Sequence, residues 1–307
     1  MTTLKWHPSL KKTFKGCEVW WQSSMVKRDK LGTELARLRN DLDREGRFYT
    51  DDPSTLMLIA QTLTIQACIT GGKGDAERVP APLCWGVTFR ALDFLKIATR
   101  TYRSDASTLL LPFETSMMAV GPTMLSDWER ARLCAYYLIQ VAHKDMRLKA
   151  PVIRKEGWGK GTNDAFLIGL LSQAYGIPTH YTPAKPMIDV YRRLLDVWKS
   201  TDREEFGMAM AEAAEFHISR SKGSTDRIWY EFESYYDSVY PGELLAVQAL
   251  RRRDGLPAFD TGHVLVDTPW SIIRDLPACE PHPLAAALEA RLRRDDPECW
   301  RADSGDG

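Results

Sequence analysis

Residues 226–277 read DRIWYEFESYYDSVYPGELLAVQALRRRDGLPAFDTGHVLVDTPWSIIRDLP, and the punctuation of this stretch decides the fold class. Pro241 suits the first turn of a helix, where an N–H would have had no partner, and Gly255 suits the left-handed position just past a helix end. Between them Leu244, Leu245, Ala246, Val247, Ala249 and Leu250 cover most of the helix circumference. A helix apolar on so many sides must be surrounded by other elements, which makes it the expected centre of the protein. Upstream, Asp226 to Tyr240 reads as an aromatic, acidic helix. Downstream, Gly262 to Asp267 alternates His263, Leu265 and Asp267 with Val264 and Val266, and is the one good candidate for a strand.

Outward from this centre the pattern is helical throughout. Leu31, Leu35, Leu38 and Leu42 recur at three- and four-residue steps, predicting one long amphipathic helix from about Glu18 to Arg47. Pro53 opens a second helix carrying Leu56, Ile59, Leu63 and Ile69, and Leu83 to Tyr102 forms a third with Trp85, Phe89, Leu92 and Leu95 inward. Residues 103–125 read as irregular, broken at Pro112 and Pro122. Ser126 and Glu129 make a capping-box pattern ahead of a helix containing Leu133, Tyr137, Ile139 and His143. Further helices are expected over Phe166 to Tyr175, from Pro186 through Trp198, and from Thr201 or Asp202 through His217. The sum is about ten helices, an all-α fold of packed antiparallel pairs. One domain spans residues 1–300, with an N-terminal helical part over 1–125 and a C-terminal part over 126–300, and residues 301–307 read as a disordered tail.

Composition narrows the function classes. Of the 307 residues 44% are apolar and 27% charged, an ordinary globular balance with ample chain to bury a core. Apolar runs such as Leu133 to Ala142 fall short of the roughly 20 residues that cross a bilayer, and the N-terminus lacks the apolar core of a secretory signal. The scattered cysteines fit free thiols, so a cytoplasmic location is expected, without a membrane partner. Net charge is zero, but residues 1–50 carry eleven bases against six acids, and residues 201–240 carry nine acids against four bases. Such asymmetry steers a charged partner or merely solvates helix faces.

Chemical motifs are few. The histidines His7, His143, His180, His217, His263 and His282 never pair at ligand spacing, so no metal is expected. Gly71-Gly72-Lys73-Gly74 and Gly159-Lys160-Gly161-Thr162 lack the spacing of a phosphate loop, and no nucleophile elbow is present, so no cofactor and no catalytic residue are assigned. Neutral overall charge argues against nucleic acid. Carboxylate pairs such as Asp295 and Asp296 read as helix-end dipole partners. The reading that remains is a protein that binds another protein, with an all-α enzyme or small-ligand protein, using His217 with Glu205 or Asp189, as the alternative.

Phe206 to His217, then the run Pro241 to Pro257 and the segment into Asp267-Thr-Pro-Trp, resemble the C-terminal half of the immunity 49 family of bacterial polymorphic-toxin systems, over about residues 200–275. The resemblance implies a cytoplasmic antitoxin, not an enzyme, that blocks a cognate toxin domain, often one delivered by type VI or another contact-dependent secretion system. An acidic, aromatic surface would enter or flank the toxin's active site. Glu231, Glu233 and Asp237 would answer the toxin's basic residues, and Trp229, Tyr235 and Tyr236 would supply anchors. The competing reading makes these aromatics core and these acids solvation. Oligomeric state stays open.

Overall fold

The helix between Pro241 and Gly255 forms where its punctuation places it. It runs Gly242–Arg253 with Pro241 as N-cap, and Gly255 adopts φ +69°. The N–H groups of Gly255 and Leu256 donate to the carbonyls of Arg252 and Arg251 at 3.2 and 2.9 Å, which satisfies the last turn. Every residue from Gly242 to Arg251 is buried.

The structure is a computed structural model, and it describes residues 4–23, 29–50, 52–103, 112–147, 163–183, 186–225, 228, 230–277 and 279–300. Among the described residues there are thirteen α-helices and no strand. In chain order they are α1 (Lys11–Trp21), α2 (Lys30–Asp43), α3 (Thr55–Gly72), α4 (Pro80–Arg103), α5 (Pro112–Met124), α6 (Trp128–Arg147) and α7 (Asn163–Tyr175). They continue with α8 (Asp189–Val197), α9 (Arg203–Arg220), α10 (Tyr235–Val239), α11 (Gly242–Arg253), α12 (Val264–Ile273) and α13 (Pro283–Asp295). The all-α, single-domain expectation holds; the expected tail 301–307 and Trp229 lie outside the described residues.

The apolar side chains gather in three clusters, and α4 belongs to all of them. Leu83 and Val87 join α11, α9 and α3 in the largest; Phe94 and Leu95 join α6 and α7; Phe89 and Leu92 join α2, α3 and α13. Helix α11 rests mainly on α5 and also touches α7, α9 and α12. Helix α3 is the one among the described residues with the length and apolarity to cross a bilayer, and it is packed between α4, α1, α2 and α10.

Several local expectations change. The single helix from Glu18 to Arg47 is two, α1 and α2, with Asp29 in the left-handed region between them at φ 40°. Residues 112–124 are helical: Pro112 occupies the tolerated first position, and Pro122 costs the helix its bond to the carbonyl of Met118 only two residues before the end. Ser126 closes α5 instead of capping α6: it sits at φ 62° with its N–H on the carbonyl of Thr123 at 3.1 Å. The cap belongs to Asp127, which accepts from the N–H of Arg130 at 3.4 Å, and Glu129 reaches Arg293 instead, at 2.9 Å.

Most important, Gly262 to Asp267 is not a strand. The His263 ring accepts the N–H of Leu265 as N-cap of α12, and Asp267 accepts from the N–H and hydroxyl of Thr261 at 2.9 and 2.8 Å. The polar alternation that mimics a strand face is helix-capping chemistry. The acidic, aromatic helix also shrinks to the five residues of α10, opened by Ser234, whose hydroxyl accepts the N–H of Asp237 at 3.0 Å. Asp295 and Asp296 lie at the C-terminal end of α13, where the dipole repels them. They stay because Arg291, Arg47 and the N–H of Phe48 hold them there.

The α3–α4 pairing rests on Gly86. A Cβ there would lie 2.7 Å from Thr64 Cγ2 and 3.0 Å from the Thr64 backbone nitrogen, which cannot give way. Gly86→Ala gains about 1 kcal/mol of helix propensity, yet we expect a net loss of about 1–3 kcal/mol in urea unfolding through overpacking. A stability gain instead would show that the two helices are not in close register here.

Candidate functional site

The acidic segment that the sequence offers as a partner surface divides into buried and accessible members. Asp237 is gripped by Arg90 through two hydrogen bonds of 2.5 and 2.7 Å, and the Ser234 hydroxyl donates to it at 2.6 Å. The Arg90 guanidinium also lies over the Tyr236 ring at 5.2 Å. Tyr236 is in the core, and burial pushes its phenol far up. Glu231 is buried too, held by the Nε of Arg220, which stacks over Tyr230 at 4.7 Å. Burial therefore takes Glu231, Tyr236 and Asp237 off the surface: the two carboxylates are held by arginines, and the Tyr236 ring lies under Arg90. Glu233 is exposed and accepts the N–H of Ser224 at 2.8 Å. Tyr235 is half-buried against α1, where its ring sits 2.8 Å from the place a Cβ on Gly16 would occupy. These two, and the neighbouring Ile228 at 47% exposure, are the accessible part of the segment.

Helix α1 carries the accessible surface further. Just past Gly16 an open cleft of about 590 Å³ is lined by Glu18, Val19, Trp21, Gln22, Ile69 and Lys73. Val19 is 60% exposed, and Glu18 and Lys73 pair across the cleft at 3.5 Å. Exposed apolar side chains beside a charged pair are features of a protein contact. Sequence reading missed this cleft because its two sides, the end of α1 and the end of α3, are about fifty residues apart and neither carries a motif.

Inside the protein, His217 and Glu243 form an unexpected pair. His217 Nδ1 lies 2.6 Å from Glu243 Oε1, the Tyr191 hydroxyl donates to the same oxygen at 3.1 Å, and the imidazole stacks on Phe232 at 3.9 Å. Burial, and then the nearby Glu243, push the Tyr191 phenol up, so it remains a donor. Both members of the pair are 0% exposed. His217 is thus the core histidine that its apolar helix face suggests. It is not set with Glu205, which receives the Ser200 hydroxyl at 2.6 Å, or with Asp189, which faces Arg192. Chemically a His–Glu–Tyr chain can move protons, and in this one His217 and Glu243 are fully enclosed among the described residues.

A third polar cluster lies at the surface. His7, Glu215 and His263 converge, with His263 Nε2 3.2 Å from Glu215 Oε1 and the two imidazoles stacked at 5.4 Å. Burial first, then His263, lower the pKa of His7, while Glu215 opposes them. The thiols offer less chemistry: burial pushes Cys68 and Cys134 well up, and burial with the adjacent Cys279 takes Cys84 up to about 12, away from the reactive thiolate. No family model matches the chain, and no curated protein or solved structure matches it.

The buried pair makes a stability prediction. His217→Ala or Glu243→Ala leaves the other partner buried without its bond and is expected to cost about 3–5 kcal/mol. The double variant His217→Phe with Glu243→Leu removes both polar groups, so its cost in urea unfolding should fall well short of the sum. Simple additivity would mean that the two side chains do not depend on each other.

Proposed function

We propose that this protein is an immunity protein, which binds a cognate toxin domain and neutralises it by covering the toxin's active site. The observation that supports this best is the open cleft at the end of α1, where Val19 is 60% exposed beside Glu18, on the same helix that Tyr235 packs against at Gly16. Exposed apolar side chains beside acids suit a partner whose own site is basic: charge speeds the encounter, and desolvated apolar contacts slow release. The partner surface is accordingly Glu233, Tyr235, Ile228 and the α1 cleft, instead of the full acidic helix.

The test is co-expression with the product of the neighbouring reading frame, read by survival and by affinity of the purified pair. The wild type should protect. Val19→Asp and Glu233→Lys should each weaken binding by roughly tenfold or more, as a lost interface anchor does, with unchanged thermal unfolding. Asp237→Lys should instead lower the melting temperature, because it sets a second cation against Arg90. Failure of the wild type to protect, or full affinity in both surface variants, would overturn the proposal.

A further inference from the structure

Three distant segments place metal-binding chemistry at one point on the surface, independently of any toxin partner. His7 precedes the first turn of the chain, Glu215 projects from α9 and His263 caps α12. One ligand atom from each lies within 4.8 Å of the others. The 3.2 Å between His263 Nε2 and Glu215 Oε1 is already close to the ~3.4 Å that a tetrahedral ion with bonds of about 2.1 Å sets between its ligands. We infer that His7, Glu215 and His263 bind one divalent transition-metal ion of the zinc class.

The donor set argues for that class. Two imidazoles and one carboxylate suit zinc and its neighbours, whereas calcium and magnesium prefer shells made of oxygen. Three protein ligands leave a fourth position for water or an outside group. Access is open, because the Glu215 side chain is 70% exposed, while the His263 side chain at 11% is held firmly. His7 is also pre-positioned: its neighbour Trp6 donates from Nε1 to the carbonyl of Gly71 at 2.8 Å, and the Thr268 hydroxyl donates to the carbonyl of Lys5 at 2.5 Å.

Tautomers set the terms of binding. Coordination through Nε2 requires the ring proton on Nδ1. At His7 that proton has an acceptor at hand, the Ser9 hydroxyl 2.8 Å from Nδ1, which is the outer-shell support a ligating histidine needs. At His263 the same tautomer gives up the 3.3 Å bond that Nδ1 accepts from the N–H of Leu265. At His7 it likewise gives up the 3.3 Å bond that Nδ1 accepts from the N–H of Ser9, so the ion exchanges two long capping bonds for three ligands, and ties the N-terminal segment to α9 and α12.

The full-length chain, stripped with a chelator, is titrated with Zn²⁺ alone by calorimetry and by competition against a chromophoric chelator. One ion per chain is expected at micromolar affinity or tighter, with thermal unfolding raised by roughly 5 °C at saturation. Glu215→Gln and His7→Gln should each weaken binding by roughly tenfold or more, and Glu215→Gln should remove the thermal shift. Glu215→Gln changes an exposed side chain and leaves the apo melting temperature in place, whereas His7→Gln also loses the Ser9 cap and is judged by its ion affinity alone. His180→Gln, which alters the separate His143–His180 stack, should bind as the wild type does. Co²⁺ in place of Zn²⁺ should show the intense visible absorption of a four-coordinate ion. Absence of binding, or equal affinity in the Glu215 and His7 variants, would overturn the assignment.

Discussion

A helix enclosed on every side cannot leave a polar atom to water, and α11 carries three polar side chains into that enclosure. Glu243 is met by His217 from α9 and Tyr191 from α8. Gln248 donates to the carbonyl of Phe259 at 3.2 Å. Arg251 donates to the carbonyls of Trp198, Ser200 and Pro257, with its guanidinium 3.9 Å over the Phe206 ring. Apolar packing tolerates small slips, but a buried carboxylate or guanidinium favours the arrangement that gives it the most partners, even though Glu243 Oε2 and Arg251 Nε are left without a hydrogen bond here. These three residues set the positions of α8, α9 and the segment after α11 relative to the central helix.

The sequence carries this architecture unevenly. Helices show wherever an apolar face recurs or a residue with special backbone geometry ends it, as at Pro241, Gly255 and Asp202. Local pattern fails where one residue type serves two ends: Pro112 reads as a breaker and begins a helix, while His263 and Asp267 read as one face of a strand and are capping groups. Burial of the acids was not legible, because it depends on Arg90, some 147 positions before Asp237, and on the way Glu231 and Phe232 turn inward. Both the His217–Glu243 pair and the His7–Glu215–His263 cluster join residues whose spacing has no periodicity to detect. Only the fold makes them neighbours.

Charge asymmetry along the chain changes its meaning in three dimensions. The acid-rich stretch 201–240 looks like a single field when summed. In the structure Glu231 and Asp237 are neutralised internally by Arg220 and Arg90, and Glu212 is paired with Arg193 at 2.5 Å. What projects outward is spread along α9 and the segment after it: Glu204, Glu205, Glu212 and Glu215 are exposed on the helix, and Glu233 stands apart beside the half-buried Tyr235. Such a surface selects a partner by shape as much as by charge.

The two ends of the chain also depend on each other. Arg291 of α13 donates to the carbonyls of Leu42 and Arg44 just past α2, Asp295 accepts the N–H of Phe48, and Thr268 of α12 holds the carbonyl of Lys5. During synthesis the first fifty residues leave the ribosome long before these partners exist. Trp6, Phe14 and the α2 leucines gain a first cover from α3, but the contacts with α12 and α13 wait until those helices emerge. The N-terminal helices are therefore expected to be the last part to settle and the part most in need of chaperone protection while the protein is being born.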